Sequence, residues 1–246
     1  LTDINSISLV YDGIKYLNNI NSTLDCNIDL TMTDQVMKIN FKQNKAMLSL
    51  LGLSFDGWFE MLDDQYNMDL SFSTNNPELK DLLSLIPGAL TEDFNTLSSN
   101  GDIKLNGKVK GTYDTSSIPG FELNLNVANG WFKYPELNGK IADINIHSSV
   151  QRSEGTDLDN LKISISDFHA SLGRNSIDVK LNIETPTSDP KINASFNSNI
   201  NLEELKNYIP IYEDETLNGL IFSDLRCKGS LSDIEKENYT DFNTSG

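Results

Sequence analysis

Apolar and polar residues alternate along most of this chain. Leu24, Cys26, Ile28, Leu30 and Met32 are apolar at every second position, and Met37, Ile39 and Phe41 follow the same rule. Met68, Leu70 and Phe72 repeat it. So do Phe121, Leu123, Leu125 and Val127, with Glu122, Asn124 and Asn126 between them. Leu161, Ile163 and Ile165 come next, then Ile177, Val179, Leu181 and Ile183. A period of two sends successive side chains to opposite faces, so each row predicts a strand with one apolar and one polar face. Sheets of such strands are normally antiparallel and wet on one side. Turn chemistry is read at Asn100-Gly101, Asn106-Gly107, Asn129-Gly130, Asn138-Gly139, Leu172-Gly173-Arg174-Asn175 and Asn218-Gly219.

Two segments break the alternation. From Pro77 to Ile86, apolar residues at Leu79, Leu82, Leu83 and Ile86 share one helical face, with Asn76 as the cap and Pro77 in the first turn. From Asn201 to Ile209, Leu202, Leu205 and Ile209 do the same, with Asn201 as the cap and Glu203 and Glu204 at the positive end. Pro87 and Pro210 end the two helices. The helices expose an internal repeat. Leu79, Leu82, Ile86 and Pro87 match Leu202, Leu205, Ile209 and Pro210 at a constant offset. The strands before them match one residue out of step, Asp69–Ser73 against Asn193–Asn197. Downstream, Gly101, Ile103 and Lys108-Val109-Lys110-Gly111 match Gly219, Ile221 and Arg226-Cys227-Lys228-Gly229. The repeat units are about 67–113 and 191–231, each a strand, a short helix and a strand. Units that cannot close a core alone stack on their neighbours.

The strands offer more apolar face than two short helices can cover, because a helix rises only ~1.5 Å per residue. The sheet therefore covers itself. It either closes into a sandwich or barrel filled by its own side chains, or curls into a trough that takes a guest. Packed interiors are the rule, so periodicity alone favours the sandwich. The inward rows hold no interleaved polar groups of the kind a polar metabolite needs. A dry trough suits acyl chains, since each buried methylene contributes about 0.8 kcal/mol without any specific contact.

Composition narrows the function. The 246 residues carry 36 acids against 19 bases, a formal charge of −17. That excess argues against a nucleic-acid partner and against adhesion to anionic headgroups. No apolar run approaches the roughly 18 residues that span a bilayer. The chain begins at Leu1 without a signal peptide and is read as a mature segment or an excised fragment. Cys26 and Cys227 are too few for a disulfide framework or a zinc site. Cys26 reads as a small core residue; a Cys26–Cys227 bridge is the alternative.

Catalysis finds little support. His147 and His169 fall in strand rows with no nucleophile motif beside them, and both read as structural. No hydrolase elbow, zinc-protease helix, P-loop or dinucleotide fingerprint is present. Asp63-Asp64 and Asp157-Leu158-Asp159 read as solvated turns without calcium-loop spacing. Trp58 and Trp131, each beside a phenylalanine, read as buried rather than as sugar platforms. No cofactor or metal is expected.

A set of segments in a fixed order resembles the AsmA-like proteins. They are Leu82–Pro87, Gly101, Lys110–Tyr113, Pro119 with Phe121, Asn129–Leu137, Asn145-Ile146, Thr185–Pro190 and Asp224–Gly229. The run Phe132-Lys133-Tyr134-Pro135-Glu136-Leu137 is the most specific part, and Asn138-Gly139 departs from it where relatives carry proline. The resemblance spans roughly Leu9 to Leu231. It implies a mostly β (α+β) fold, a long curled antiparallel sheet with an apolar groove, running through 1–246 as one segment. It also implies a periplasmic location in a Gram-negative cell and an inner-membrane anchor through an N-terminal helix absent here. The family carries no catalytic motif, and its larger members pass phospholipid toward the outer membrane. On that reading the partner is phospholipid, and Leu123, Leu125, Val127, Ile163, Ile165, Val179, Leu181 and Ile183 line the groove. The alternatives are a closed scaffold, in which those residues are plain core, and a surface glycan binder.

Overall fold

A computed structural model describes residues 2–11, 14–83, 97–135, 138–208, 217–238, 240 and 242–246. The protein is mostly β: its described residues form one antiparallel sheet of 14 strands, and among them the sheet does not close into a barrel. The strands are β1 (Thr2–Tyr11), β2 (Ile14–Asp25), β3 (Ile28–Met32), β4 (Val36–Leu48), β5 (Leu51–Leu62), β6 (Gln65–Thr74) and β7 (Ser98–Tyr113). They continue as β8 (Gly120–Lys133), β9 (Ile141–Arg152), β10 (Lys162–Leu172), β11 (Asn175–Glu184), β12 (Lys191–Asn201), β13 (Leu220–Ser230) and β14 (Asn243–Ser245). Sequence neighbours are sheet neighbours except at β3, which pairs β4 off the main path. Contacts divide the chain into two units. Unit 1 is Leu1–Asn95, Lys104–Leu123 and Ser153–Thr156; unit 2 is Thr96–Ile103, Asn124–Arg152 and Asp157–Gly246.

In unit 1 the row from Leu24 to Met32, which the alternation reads as one strand, is broken at Cys26-Asn27. β2 pairs the far half of β4 through Ser22–Asp25, and β3 pairs its near half, Ile28 against Phe41 and Met32 against Met37. The break runs across the sheet. Gln43 adopts φ 54°, and its N–H donates to Asp56 Oδ1 at 2.5 Å. The Asn27 N–H donates to Asn44 Oδ1 at 2.5 Å. The β4–β5 register slips between Phe41 and Asn44. At the same level Gly57 adopts φ 129°, and a Cβ there would lie 2.0 Å from the Asp69 carbonyl oxygen, so only glycine fits. A line of bulges of this kind bends strands. Cys26 sits at the break and is exposed, which corrects its reading as a core residue; both cysteines are free thiols.

Unit 2 has a similar line. Asn129 and Asp143 adopt φ 53° and 52°, the Asn129 N–H donates to Asn145 Oδ1 at 3.2 Å, and the β9–β10 register slips between His169 and Ser171. Here the sequence reading needs correction. Asn100-Gly101, Asn106-Gly107 and Asn129-Gly130 lie inside β7 and β8, not in turns. The dipeptide supplies positive-φ backbone equally to a hairpin and inside a strand: Gly101 and Asn129 take positive φ within β7 and β8, whereas Gly107 keeps ordinary strand backbone and makes room for the Phe72 ring. Leu172–Asn175, by contrast, does form the β10–β11 hairpin.

The first predicted helix is described only as α1 (Leu79–Leu83); its end, Ile86 and Pro87 lie outside the described residues. It starts at Leu79, later than expected: the Asp81 carboxylate accepts from the Glu78 N–H at 2.8 Å, so Glu78 stands at the cap, and Asn76 lies before it with φ 46°. The second is α2 (Leu202–Leu205), a single turn capped as expected by Asn201 Oδ1, which accepts from Glu203 and Glu204. Ile209 and Pro210 also lie outside the described residues. A third, α3 (Leu231–Glu235), follows β13, with Asp233 reaching back to the Ser230 N–H at 3.2 Å. The two repeat segments pair in equivalent register. Asp69 stands opposite Lys110 and Leu70 opposite Val109. The matching Asn193 stands opposite Lys228, and Ala194 opposite Cys227.

Candidate functional site

The two faces of the sheet differ in kind. In unit 2 the register aligns successive rows on one face. Val150, Ile163, Ile183 and Ile192 stand side by side across β9 to β12. Ile165 and Leu181 lead to Ala194 and Cys227. Ile146, Phe168, Val179 and Phe196 reach Leu225. Five of the expected groove residues, Ile163, Ile165, Val179, Leu181 and Ile183, thus share one apolar surface. All five are half-buried, as are Leu123 and Leu125. Val127 differs: it is 1% exposed and packed with Ile144 (5%) about Gly130. A Cβ on Gly130 would approach Val127 Cγ1 at 2.9 Å and Ile144 Cβ at 3.0 Å. Leu123 belongs to unit 1 and the other seven to unit 2.

The opposite face of unit 2 is polar. Ser164 Oγ donates to Asn182 Oδ1 at 2.7 Å, and Lys162 pairs with Glu184 at 3.2 Å. His169 Nδ1 lies 2.7 Å from Asp178 Oδ1 across the strand pair, so this histidine is satisfied by a neighbour. His147 is exposed on β9. Leu220 and Phe222, near one end of β13, are the apolar residues that break this polar face.

Unit 1 repeats the arrangement, which the list of groove residues missed. Ile28, Phe41, Gly57, Leu70 and Val109 make one row, and Leu30, Ile39, Phe59 and Met68 another. A cavity of about 490 Å³ opens on this face. β4 contributes Phe41 and Leu48, β5 Leu51, Leu53 and Phe55, β6 Leu70 and Phe72, and β7 Leu105 and Val109; Ser71 is the one polar residue at its edge. The period-two rows around Phe41 and Phe72 carried the signal for it. A second open cavity, about 480 Å³, lies in unit 2 against Ala194, Phe196, Leu225 and Cys227.

The polar face of unit 1 carries Trp58. It is half-buried, not buried, and Lys38 Nζ sits 4.5 Å from its ring centroid. Trp131 is likewise half-buried, with Lys140 Nζ at 5.0 Å. Each ring thus has a lysine ammonium over one of its faces. Beside Trp58, Asp69 binds Lys108 at 3.0 Å and Lys110 at 3.1 Å, and the hydrogen bond from Lys108, then that from Lys110, lowers its carboxyl below the ordinary range.

Carboxylates also tie loop to loop. Asp159, expected in a solvated turn, instead accepts from the Thr187 hydroxyl at 2.6 Å and from the Thr187 and Ser188 N–H groups at 3.0 Å. Hydrogen bonding from Ser188 and then Thr187 lowers its pKa from 3.8 to about 2. Asp189 accepts from the Ser232 N–H and hydroxyl at 3.0 and 2.8 Å, which lowers it as well. Asp63-Asp64 stands exposed in the β5–β6 turn, as read from the sequence. Among the described residues no group of His, Cys, Asp and Glu is placed to hold a metal ion, and no helix is long and apolar enough to cross a membrane. Comparison with protein-family models, with curated proteins and with solved structures gives no match.

Proposed function

We propose that this chain is a non-catalytic lipid-guiding module of the AsmA-like kind, working in the periplasm in outer-membrane biogenesis. Phospholipid acyl chains lie along the apolar face while headgroups stay in water. One observation carries the reading: seven of the eight expected wall residues are half-buried, and only Val127 is buried. A face packed shut by its own side chains would bury them all. Half-covered Leu, Ile and Val side chains retain apolar area that a guest chain can cover, at about 25 cal/mol per Å² removed from water. A wall of this uniform chemistry favours sliding over tight binding at one point. Anchoring to the inner membrane would come from a helix outside this sequence.

The test is mass spectrometry of lipid copurified with the chain from a Gram-negative host. The reading expects phospholipid in stoichiometric amount, lost on replacing Leu125 and Leu181 with asparagine. A folded, lipid-free chain would overturn it.

A second reading, a closed scaffold for outer-membrane protein assembly, draws on Val127 and Ile144, which are 1% and 5% exposed and close the space about Gly130. There the space is filled by the chain's own side chains. ANS separates the two readings, since a filled interior gives no native-state fluorescence.

A further inference from the structure

The last long strand, β13, is covered on one side only. On its inner side it pairs β12 from Leu220 to Ser230 without a register slip. On its outer side β14 pairs Arg226, Cys227 and Lys228, and Gly246 lies against Leu225. Among the described residues no strand pairs the stretch from Leu220 to Leu225 on that side. Leu220, Ile221, Phe222 and Leu225 are all exposed there, Phe222 at 69% and Leu225 at 54%. A straight edge with open N–H and C=O groups and apolar side chains is a template for another strand, and sheets normally blunt it with proline or a bulge. β13 has neither.

Its charges say which strand fits. They are Asp224, Arg226 and Lys228, all on the polar face, and within the strand Arg226 lies 3.5 Å from Asp224. Laid antiparallel against a second copy of itself with the two-fold at Leu225, β13 sets Asp224 opposite Arg226 of the second copy, and Arg226 opposite its Asp224. Phe222 then meets Lys228, ring against ammonium, and Leu225 meets Leu225. Moved one residue either way, the centre would set Asp224 or Arg226 against itself. The register also keeps the faces in step, so Ile221 and Leu225, which stand beside Ile200 and Phe196 of β12, stay on the apolar side in both copies. β14 is a weak competitor: its three residues are all exposed, and Phe242 on Gly229 precedes them. We propose that β13 is a self-association edge, at which β14 yields and two copies pair β13 to β13 about Leu225. The charge of −17 on each copy opposes their approach, but it is screened beyond about 8 Å at physiological salt, whereas the facing pairs lie in contact.

Sedimentation velocity on the purified chain at rising concentration reads the dimer. Asp224→Arg and Arg226→Asp each bring like charges face to face and should weaken it about tenfold or more. Mixed in equal amounts, the two variants oppose arginine to aspartate at both pairs, and the dimer returns. A disulfide gives a second reading. With Cys26 and Cys227 replaced by serine, Leu225→Cys sets two cysteines with Cα atoms about 4.5–5.5 Å apart, within bridging range, and mild oxidation yields a covalent dimer. Ile221→Cys, whose copies lie about 26 Å apart along the strands at roughly 3.3 Å per residue, yields none. Circular dichroism checks that each variant is folded. A folded chain that stays monomeric and unbridged would leave the edge to β14 and overturn the proposal. So would a dimer indifferent to both charge reversals, equal bridging at positions 221 and 225, or bridging of Leu225→Cys in cells to a different protein only. None of these outcomes bears on the acyl-chain reading, which copurified lipid tests by itself.

Discussion

Ile144 and Ile183 are the same residue in the same unit, and the open-wall account assigns them unequal weight. Ile144 is 5% exposed, with its Cβ and carbonyl oxygen closing the space a Gly130 side chain would need. Ile183 is half-buried, between Ile163 on β10 and Ile192 on β12. Burying an isoleucine fully contributes about 1.5–3 kcal/mol. Truncating one in a closed core adds the cost of the void, for a total of about 2–5 kcal/mol. At Ile183 at least about two-thirds of the transfer term applies, and an open face leaves no void, so the loss is about 1.5 kcal/mol. Ile144→Ala should therefore destabilise by about 3 kcal/mol and Ile183→Ala by about 1.5 kcal/mol. Urea unfolding followed by far-ultraviolet circular dichroism, extrapolated to water, measures both. Equal losses, or more than about 2 kcal/mol at Ile183, would mean that the face is filled by the chain itself and the reasoning is wrong.

Two further outcomes follow from single contacts. Gly130→Ala forces a methyl to within 2.9 Å of Val127 Cγ1 and 3.1 Å of the Ile144 carbonyl oxygen, and should cost about 1–3 kcal/mol in the same assay; a neutral result would mean that this corner is loose. Asp159, with its pKa lowered from 3.8 to about 2, stabilises the fold fully above pH 3.8, and that contribution is lost as the pH falls toward 2. The Tm difference between the unaltered chain and Asp159→Ala should therefore be constant from pH 7 to about 5 and close between pH 4 and 2; a difference that persists at pH 2 would contradict the clasp to Thr187 and Ser188.

The strand rows were legible because period two is imposed by the pleat itself. Ile177, Val179, Leu181 and Ile183 could be read directly, and their neighbours followed from alternation in the adjacent strands. What alternation does not encode is where a strand breaks. Gln43, Asn129 and Asp143 take left-handed backbone inside long strands, and a neighbouring strand's Asp56 or Asn145 supports two of them. Those partners are remote in sequence, so Asn-Gly looked like a turn. Cys26 kept its place in the apolar rhythm although the strand around it had ended. The second helix was overlong for a related reason: apolar spacing allows it to run from Asn201 to Ile209, but Asn201 caps a single turn that ends at Leu205. In the candidate site, the rows of unit 2 were named in advance and the cavity at Phe41, Phe55 and Phe72 was not. Its walls come from four strands whose register only pairing reveals.

Neighbouring residues on β11 point to opposite faces, Leu181 into the apolar row with Ile165 and Lys180 outward and exposed. A photo-crosslinking amino acid at each position, irradiated in living cells and analysed for attached lipid, tests the central claim most directly. The account predicts lipid adducts at position 181 and none above background at 180. Adducts at neither position, or equally at both, would contradict it.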